Sequence, residues 1–495
     1  MTRPELRASL AFLALLLLVV AFPACSASEI EFSSSDSLQD LLDEETNGDL
    51  DPDGDTVPLD LEITSHEDGA TVTGNRTITL AGTLSGDVTA VTAVLNDGEP
   101  VSAALSGEDF SVELTLGDRE NAITVTAHGE GDDSSEATLQ LHYPFLAFAN
   151  GQAATLVIGQ PDFVSAGSGL SATQVGQMWG HPEVSNGMLF IPDHYNNRVL
   201  GYNRVPTTNG AAADFVLGQP DFETGTYART QAGMNSPTST SMGDDEMIIA
   251  NQGRVLVYHS LPTTTGTEPD TVLGQPDFET NALDCTATAI GSLQSARVAD
   301  GKILVPDEMH NRILIWNDFP TVNGAAAQLV LGQDDFTTCD GGTDASSLNT
   351  PNDVWSDGER ILVLDGDNNR VLLWHSFPTE NGQPADVVLG QADMTSAEWP
   401  GDMSRSRFAW ASYLASNGNQ IFVADCSNDR VLIWDSFPTE NDVAPDRVLG
   451  SEDFESTPGG VSASTFGCPS GFAFHENTLL VSDENHSRVL IFEAP

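Results

Sequence analysis

Six tandem copies of one pattern fill the chain from about Ala154 to Pro495. A tandem repeat restricts the fold more than any bulk property, because each copy adopts one structure and buries its apolar face on the next. The first marker is a Val-Leu/Ile-Gly-Gln-Pro-Asp-Phe-like segment, with glycines at Gly159, Gly218, Gly274, Gly332, Gly390 and Gly450. The second is an apolar strand, a polar turn and an arginine that opens another strand, with arginines at Arg198, Arg254, Arg312, Arg370, Arg430 and Arg488. The period is 56 to 60 residues, room for four short strands with their loops.

The chain has 44 Gly and 26 Pro, many Val/Thr/Leu alternations and no long apolar stretch of 3.6 period, so the fold class is all-β. The 495 residues leave room for several domains. Charge narrows the partners: 73 acidic residues stand against 18 basic ones, and Lys302 is the only lysine. A formal charge of −55 repels phosphate backbones and anionic lipid, which argues against a nucleic-acid partner, and it suits solubility at high salt.

The N-terminus reads as an export signal, residues 1–24, with Arg3 and Arg7 before an apolar run from Ala11 to Phe22 that is short for a membrane span. Phe22-Pro23-Ala24-Cys25 resembles a bacterial lipobox, which implies lipidation of Cys25 and a lipid anchor as the only membrane attachment; cleavage near Ala27 is the alternative. Residues 25–58 are acidic, rich in Ser and devoid of Lys and Arg, which predicts a disordered spacer. Within it Asp49, Asp51, Asp53, Asp55 and, further on, Asp60 resemble the calcium loops of EF-hand and thrombospondin-type-3 repeats, with Gly54 at the sharp turn. Calcium is the one cofactor these residues suggest. Pro52 and the absence of a Glu at the twelfth position depart from that pattern, and a solvated acidic linker is the competing reading.

From residue 59 to 142 short alternating strands such as Thr77 to Leu80, Phe110 to Leu114 and Ala122 to Thr126 predict about seven strands at sandwich spacing, with a hairpin turn at Asn96-Asp97-Gly98. Ile63 to Val72 and Glu120 to Ala127 resemble bacterial Ig-like domains, which implies a stalk.

The repeat region, residues 143–495, resembles NHL repeats. Their V-x-D-x-x-N-x-R-[IV] core is matched by Val423-Ala424-Asp425-Cys426-Ser427-Asn428-Asp429-Arg430-Val431. The resemblance implies a six-bladed β-propeller preceded by the Ig-like β-sandwich. The chain enters with an outermost-strand motif, Thr155 to Gln160, and leaves on a third strand, Arg488 to Phe492, so the first segment is expected to complete the last blade. Recurrence also assigns the charged residues. Asp193 with Arg198, Asp307 with Arg312, Asp365 with Arg370, Asp425 with Arg430 and Asp483 with Arg488 are expected as structural pairs that tie the turn together. Arg254 lacks its Asp, so the second blade is expected to be the loosest. Phe163, Phe222, Phe278, Phe336 and Phe454 read as packing between blades, and Asn209, Asn323 and Asn381, each before a Gly, as turns between third and fourth strands.

Blade geometry pairs Cys285 with Cys339 and Cys426 with Cys468, with free buried thiols as the alternative. Catalysis needs a unique constellation, whereas the departures from the repeat are mild and the copies carry no long insertion. The histidines nearest the turn face, His194, His310 and His486, with His181 and His475 near first strands, are the catalytic candidates, and turn or surface roles are the simpler reading. Some six-bladed relatives, the peptidyl-hydroxyglycine amidating lyases, use histidines and a metal at the centre, and RNA binding, found in some animal NHL domains, relies on a basic face this chain lacks. The expectation is a monomeric, exported, non-enzymatic envelope protein presenting a propeller face to a protein or glycan partner; the alternative is a metal-dependent lyase or hydrolase at the central channel.

Overall fold

The computed structural model describes residues 59–73, 76–96, 98–131, 133–399 and 404–494. Cys25, Asp49, Asp51, Asp53 and Asp55, with the expected signal segment and spacer, lie outside them. Asp60 is described: it opens the strand Asp60–Ile63 and pairs across to Ser85.

Residues 60–143 form two sheets around one core. One takes its strands in the order Asp60–Ile63, Thr77–Ser85, Asp109–Thr115, Ala104–Ser106; the other in the order Ala70–Thr71, Ser134–Tyr143, Arg119–His128, Ala90–Leu95, Val101–Ser102. The alternation visible in the sequence sends Leu80, Val91, Phe110, Val112, Val125 and Leu141 inward. Nine strands form where about seven were expected, because Ala70–Thr71 and Val101–Ser102 are two-residue pairings too short to carry a periodic signal.

Residues 156–493 form six four-stranded antiparallel sheets. The first is Glu183–Ser185, Met188–Asp193, Arg198–Tyr202 and Phe215–Leu217; the next four span 237–273, 297–331, 351–389 and 411–449. The sixth joins Pro469–His475, Thr478–Asp483 and Arg488–Glu493 to Leu156–Ile158 from the start of the region. First strands touch first strands in succession, and that of the sixth sheet touches that of the first, so the architecture is all-β and propeller-like. Strand direction alternates within each sheet, which puts the turns between second and third strands and the loops between sheets on one face.

The marker glycines are fixed by two constraints together. All six have φ between +78° and +90°. A Cβ there would also lie within 3 Å of the apolar side chain that follows in each copy, from Val175 and Met234 through to Phe466. The Asn-Gly pairs do more than turn the chain. Asn209 Oδ1 accepts from Val157 N at 3.1 Å and Gly210 N donates to Val157 O at 3.0 Å, so the turn of the first sheet covers the exposed edge of the sixth. Asn323 on Val272, Asn381 on Val330 and Asn441 on Val388 repeat this, and Asn150 on Val448 supplies it from the N-terminal side of the junction. Each outer edge is thereby hydrogen-bonded instead of left open.

The disulfides are Cys285–Cys339 and Cys426–Cys468, as the blade geometry had paired them, and they fit an oxidising, exported environment. No helix among the described residues is long and apolar enough to cross a membrane.

Candidate functional site

The recurrent charges form a latch. In five sheets the Asp ending the second strand accepts from the Nε of the Arg opening the third, at 2.7, 3.0, 2.6, 2.7 and 2.8 Å, and both side chains are fully buried. The Nη atoms donate to main-chain carbonyls, among them those of Phe163, Phe222, Phe278, Phe336, Met394 and Phe454. The phenylalanines thus offer their carbonyls to the latch as well as packing their rings. In the second sheet the Arg254 Nε meets the Asn251 amide oxygen in place of a carboxylate, at 3.1 Å, and Asn251 Nδ2 is buried without a partner. Burial, with nearby Arg229 adding repulsion, pushes the Arg254 guanidinium down to about 10.

The candidate histidines do not converge. His310 and His486 stand where other copies have Asn196, Asn368 and Asn428, and like those asparagines they bond the latch carboxylate, at 2.8 and 2.9 Å. His194 Nδ1 is buried without a partner, and burial pushes the ring down to about 4, so it is neutral near pH 7. His475 ends the strand Pro469–His475.

Only His181 reaches the centre. Its Nδ1 accepts from Arg297 Nη2 at 2.7 Å and Phe472 N at 3.0 Å, which leaves the proton on Nε2 to donate to Asp353 at 2.7 Å. Burial would raise the Asp353 carboxyl, but His181 and Arg297 overcome this and hold it below the usual carboxylate range. Arg297, Asp353, Tyr413 and Phe472 come from four different sheets, and together with His181, against which Tyr413 packs edge-on at 4.7 Å, they plug the ring.

A mouth opens on either side of the plug. On the turn face, a cavity of about 280 Å³ is lined by Trp179, His194, Gln252, Gln294 and Glu308. Trp179 Nε1 donates to Gln294 Oε1 at 3.0 Å, and Gln294 Nε2 donates to Glu308. The residue after the latch Asp, or after Asn251, differs in almost every copy: His194, Gln252, Glu308, Gly366, Cys426, Glu484. This is the variation the repeat logic assigns to function, and the shared latch had masked it. Outside the mouth, the four exposed aromatic side chains among the described residues all lie on this face: Tyr195 (57%), Tyr227 (59%), Trp399 (61%) and Trp410 (57%). The opposite mouth, about 220 Å³, is lined by Glu183, Ser241, Arg297, Trp355 and Phe474.

Two carboxyls near the channel are shifted upward to about 7. Glu183 is shifted by burial, against the opposing charge of Arg297, and Glu484 by burial and then by Asp483. In the unfolded chain both lose their proton near 4.5, so between about 4.5 and 7 the folded state holds more protons, and stability falls as pH rises through that window. We expect the unfolding free energy at pH 5 to exceed that at pH 8 by up to roughly 3 kcal/mol per carboxyl, less where water reaches the group. Urea titrations in 1 M salt, which screens the surface charge, check this: the slope should be shallower in the Glu183→Gln/Glu484→Gln double variant, the part that stays coming from carboxyls such as Asp365, which burial pushes up to about 6. An equally steep slope in that variant would assign the effect elsewhere.

No family model matches the chain, and no curated protein matches it. Among solved structures, it is similar to the PQQ-bound aldose sugar dehydrogenase of Streptomyces coelicolor at 13% identity, over 66% of this chain and 96% of that one, with a TM-score of 0.38. A putative 6-phosphogluconolactonase from Bacteroides fragilis matches at 12% identity over 82% and 91%, with a TM-score of 0.34. Fibronectin(III)-like modules of Clostridium thermocellum CbhA match at 18% identity over 17% of this chain and 97% of theirs, with a TM-score of 0.16. No activity is carried over from them.

Proposed function

We propose that this is a non-enzymatic binding protein of the cell envelope. In this reading a lipid anchor at Cys25 and an acidic spacer carry an Ig-like stalk, residues 59–142, and a six-bladed NHL-type propeller, residues 143–495, whose turn face docks a protein or glycan. The observation that carries it is the gathering of Tyr195, Tyr227, Trp399 and Trp410 on one face of an otherwise highly charged chain. Exposed rigid aromatics lose little conformational entropy on docking and supply most of the contact energy at interfaces. Carboxylates such as Glu308 in the mouth add acceptors for amide or sugar hydroxyl donors. His310 and His486 are latched singly to their own turns, apart from His181 at the centre, which favours binding over chemistry.

The test is capture from envelope fractions and on a glycan array with the full chain, repeated with Tyr227→Ala/Trp399→Ala/Trp410→Ala. We expect the triple variant to lose at least about tenfold in affinity, from hot-spot contacts of 1 kcal/mol or more each, with an unchanged melting temperature. Undiminished capture by the variant would move the docking surface off this face.

A further inference from the structure

The two disulfides differ in what surrounds the sulfurs. Cys285 Sγ has a main-chain carbonyl, that of Phe336, at 3.7 Å, a group with no proton to give. Cys426–Cys468 joins the second turn of the fifth sheet to the start of the sixth on the turn face; Cys426 is half-buried and Cys468 buried. Glu484 Oε2 lies 3.2 Å from Cys468 Sγ. A disulfide sulfur carries no hydrogen, so that contact is attractive only when the carboxyl holds the proton. Cys426 and Glu484 occupy the same variable position of successive copies, and neither belongs to the latch.

We propose that Cys426–Cys468 is a thiol–disulfide exchange site, opened by an external dithiol, with Glu484 as proton donor to the leaving sulfur. A thiolate of the dithiol attacks Sγ of the half-buried Cys426 and forms a mixed disulfide. The Cys426–Cys468 bond breaks, its electron pair goes to Cys468 Sγ, and that sulfur takes the Glu484 proton. The second thiol of the reagent then displaces Cys426, which takes that thiol's proton. The reagent is oxidised by two electrons to its disulfide, the protein pair is reduced to two thiols, and solvent reprotonates Glu484. Burial favours the protonated acid, which is the form the step requires. The groups facing Glu484 are Asp483, itself held by Arg488 and His486, and Tyr413, while Asp429 accepts from Cys468 N at 2.8 Å.

The experiment is timed reduction of the oxidised full chain with dithiothreitol at pH 6 to 8, thiol trapping with iodoacetamide, and mass-spectrometric counting at each cysteine. We expect Cys426 and Cys468 to open at least about tenfold faster than Cys285 and Cys339. The rate per unit of reagent thiolate should fall about tenfold as pH rises through 7, and should be low and flat in Glu484→Gln. Equal rates for the two disulfides, or a flat profile in the wild type, would overturn the proposal; both readings need only the wild type, so a poorly folding variant does not blur them.

Discussion

Deleting Thr155 to Gln160 is expected to lower the melting temperature by roughly 10 °C or more and to promote self-association. The segment supplies the fourth strand of the sixth sheet, pairing Leu156 with Ile491, Val157 with Leu490 and Ile158 with Val489. Val157 and Ile158 are fully buried, and each removes about 1.5 to 3 kcal/mol of apolar surface from water. Gln160 Nε2 also donates to the carbonyls of Ser487 and Gly167, so the loss is on the order of 5 kcal/mol, comparable to the whole stability of many domains. What remains is an unpaired edge at Arg488–Glu493, open to strands of other copies. Val157→Asp, which keeps the length and places a carboxylate in the core, should act in the same direction. Calorimetry and size-exclusion chromatography check both; a deletion variant as heat-resistant as the parent and no more self-associated would rule out a ring closed in this way.

Much of this architecture is legible in the sequence because recurrence converts spacing into register. Arg198 and Asp193 are assigned to one turn because the same pair returns in four later copies, and Cys285 pairs with Cys339 because both fall in equivalent loops. The contacts that escaped are of two kinds. Some use main-chain acceptors, such as the Phe carbonyls bound by the arginines and the Val157 edge covered by Asn209 and Gly210, and a carbonyl leaves no mark on residue identity. Others join unlike residues from distant copies. Arg297 and Asp353 come from first strands of two sheets and His181 from the segment just before the first strand of another, where no pattern repeats, so only closure of the ring brings them within 2.7 Å. The aromatic rim has the same origin: Tyr227 and Trp399 occupy equivalent loop positions, but Tyr195 and Trp410 do not, and their common face follows from strand direction.

The latch yields the second large effect, an expected loss of about 3 to 5 kcal/mol for Arg198→Met. The guanidinium donates from Nε to Asp193 at 2.7 Å and from its Nη atoms to the carbonyls of Phe222, Ser171 and Gln174. Methionine fills most of the volume but donates nothing, so three partly buried carbonyls lose a partner and Asp193 keeps only Gly176 N and Asn196 Nδ2. Asp193→Asn should cost less, about 1 to 2 kcal/mol, because the second sheet already folds with an amide at that position. The converse change separates charge pairing from packing. Asn251→Asp replaces a buried amide whose Nδ2 has no partner with a carboxylate facing Arg254, and a gain of about 1 to 2 kcal/mol is expected, with the second sheet becoming slower in hydrogen exchange. Urea denaturation of the three variants decides the matter. If Arg198→Met costs under 1 kcal/mol and Asn251→Asp gains nothing, the recurrent pair adds little to stability, and some other demand on the turn would have to account for its sixfold arginine.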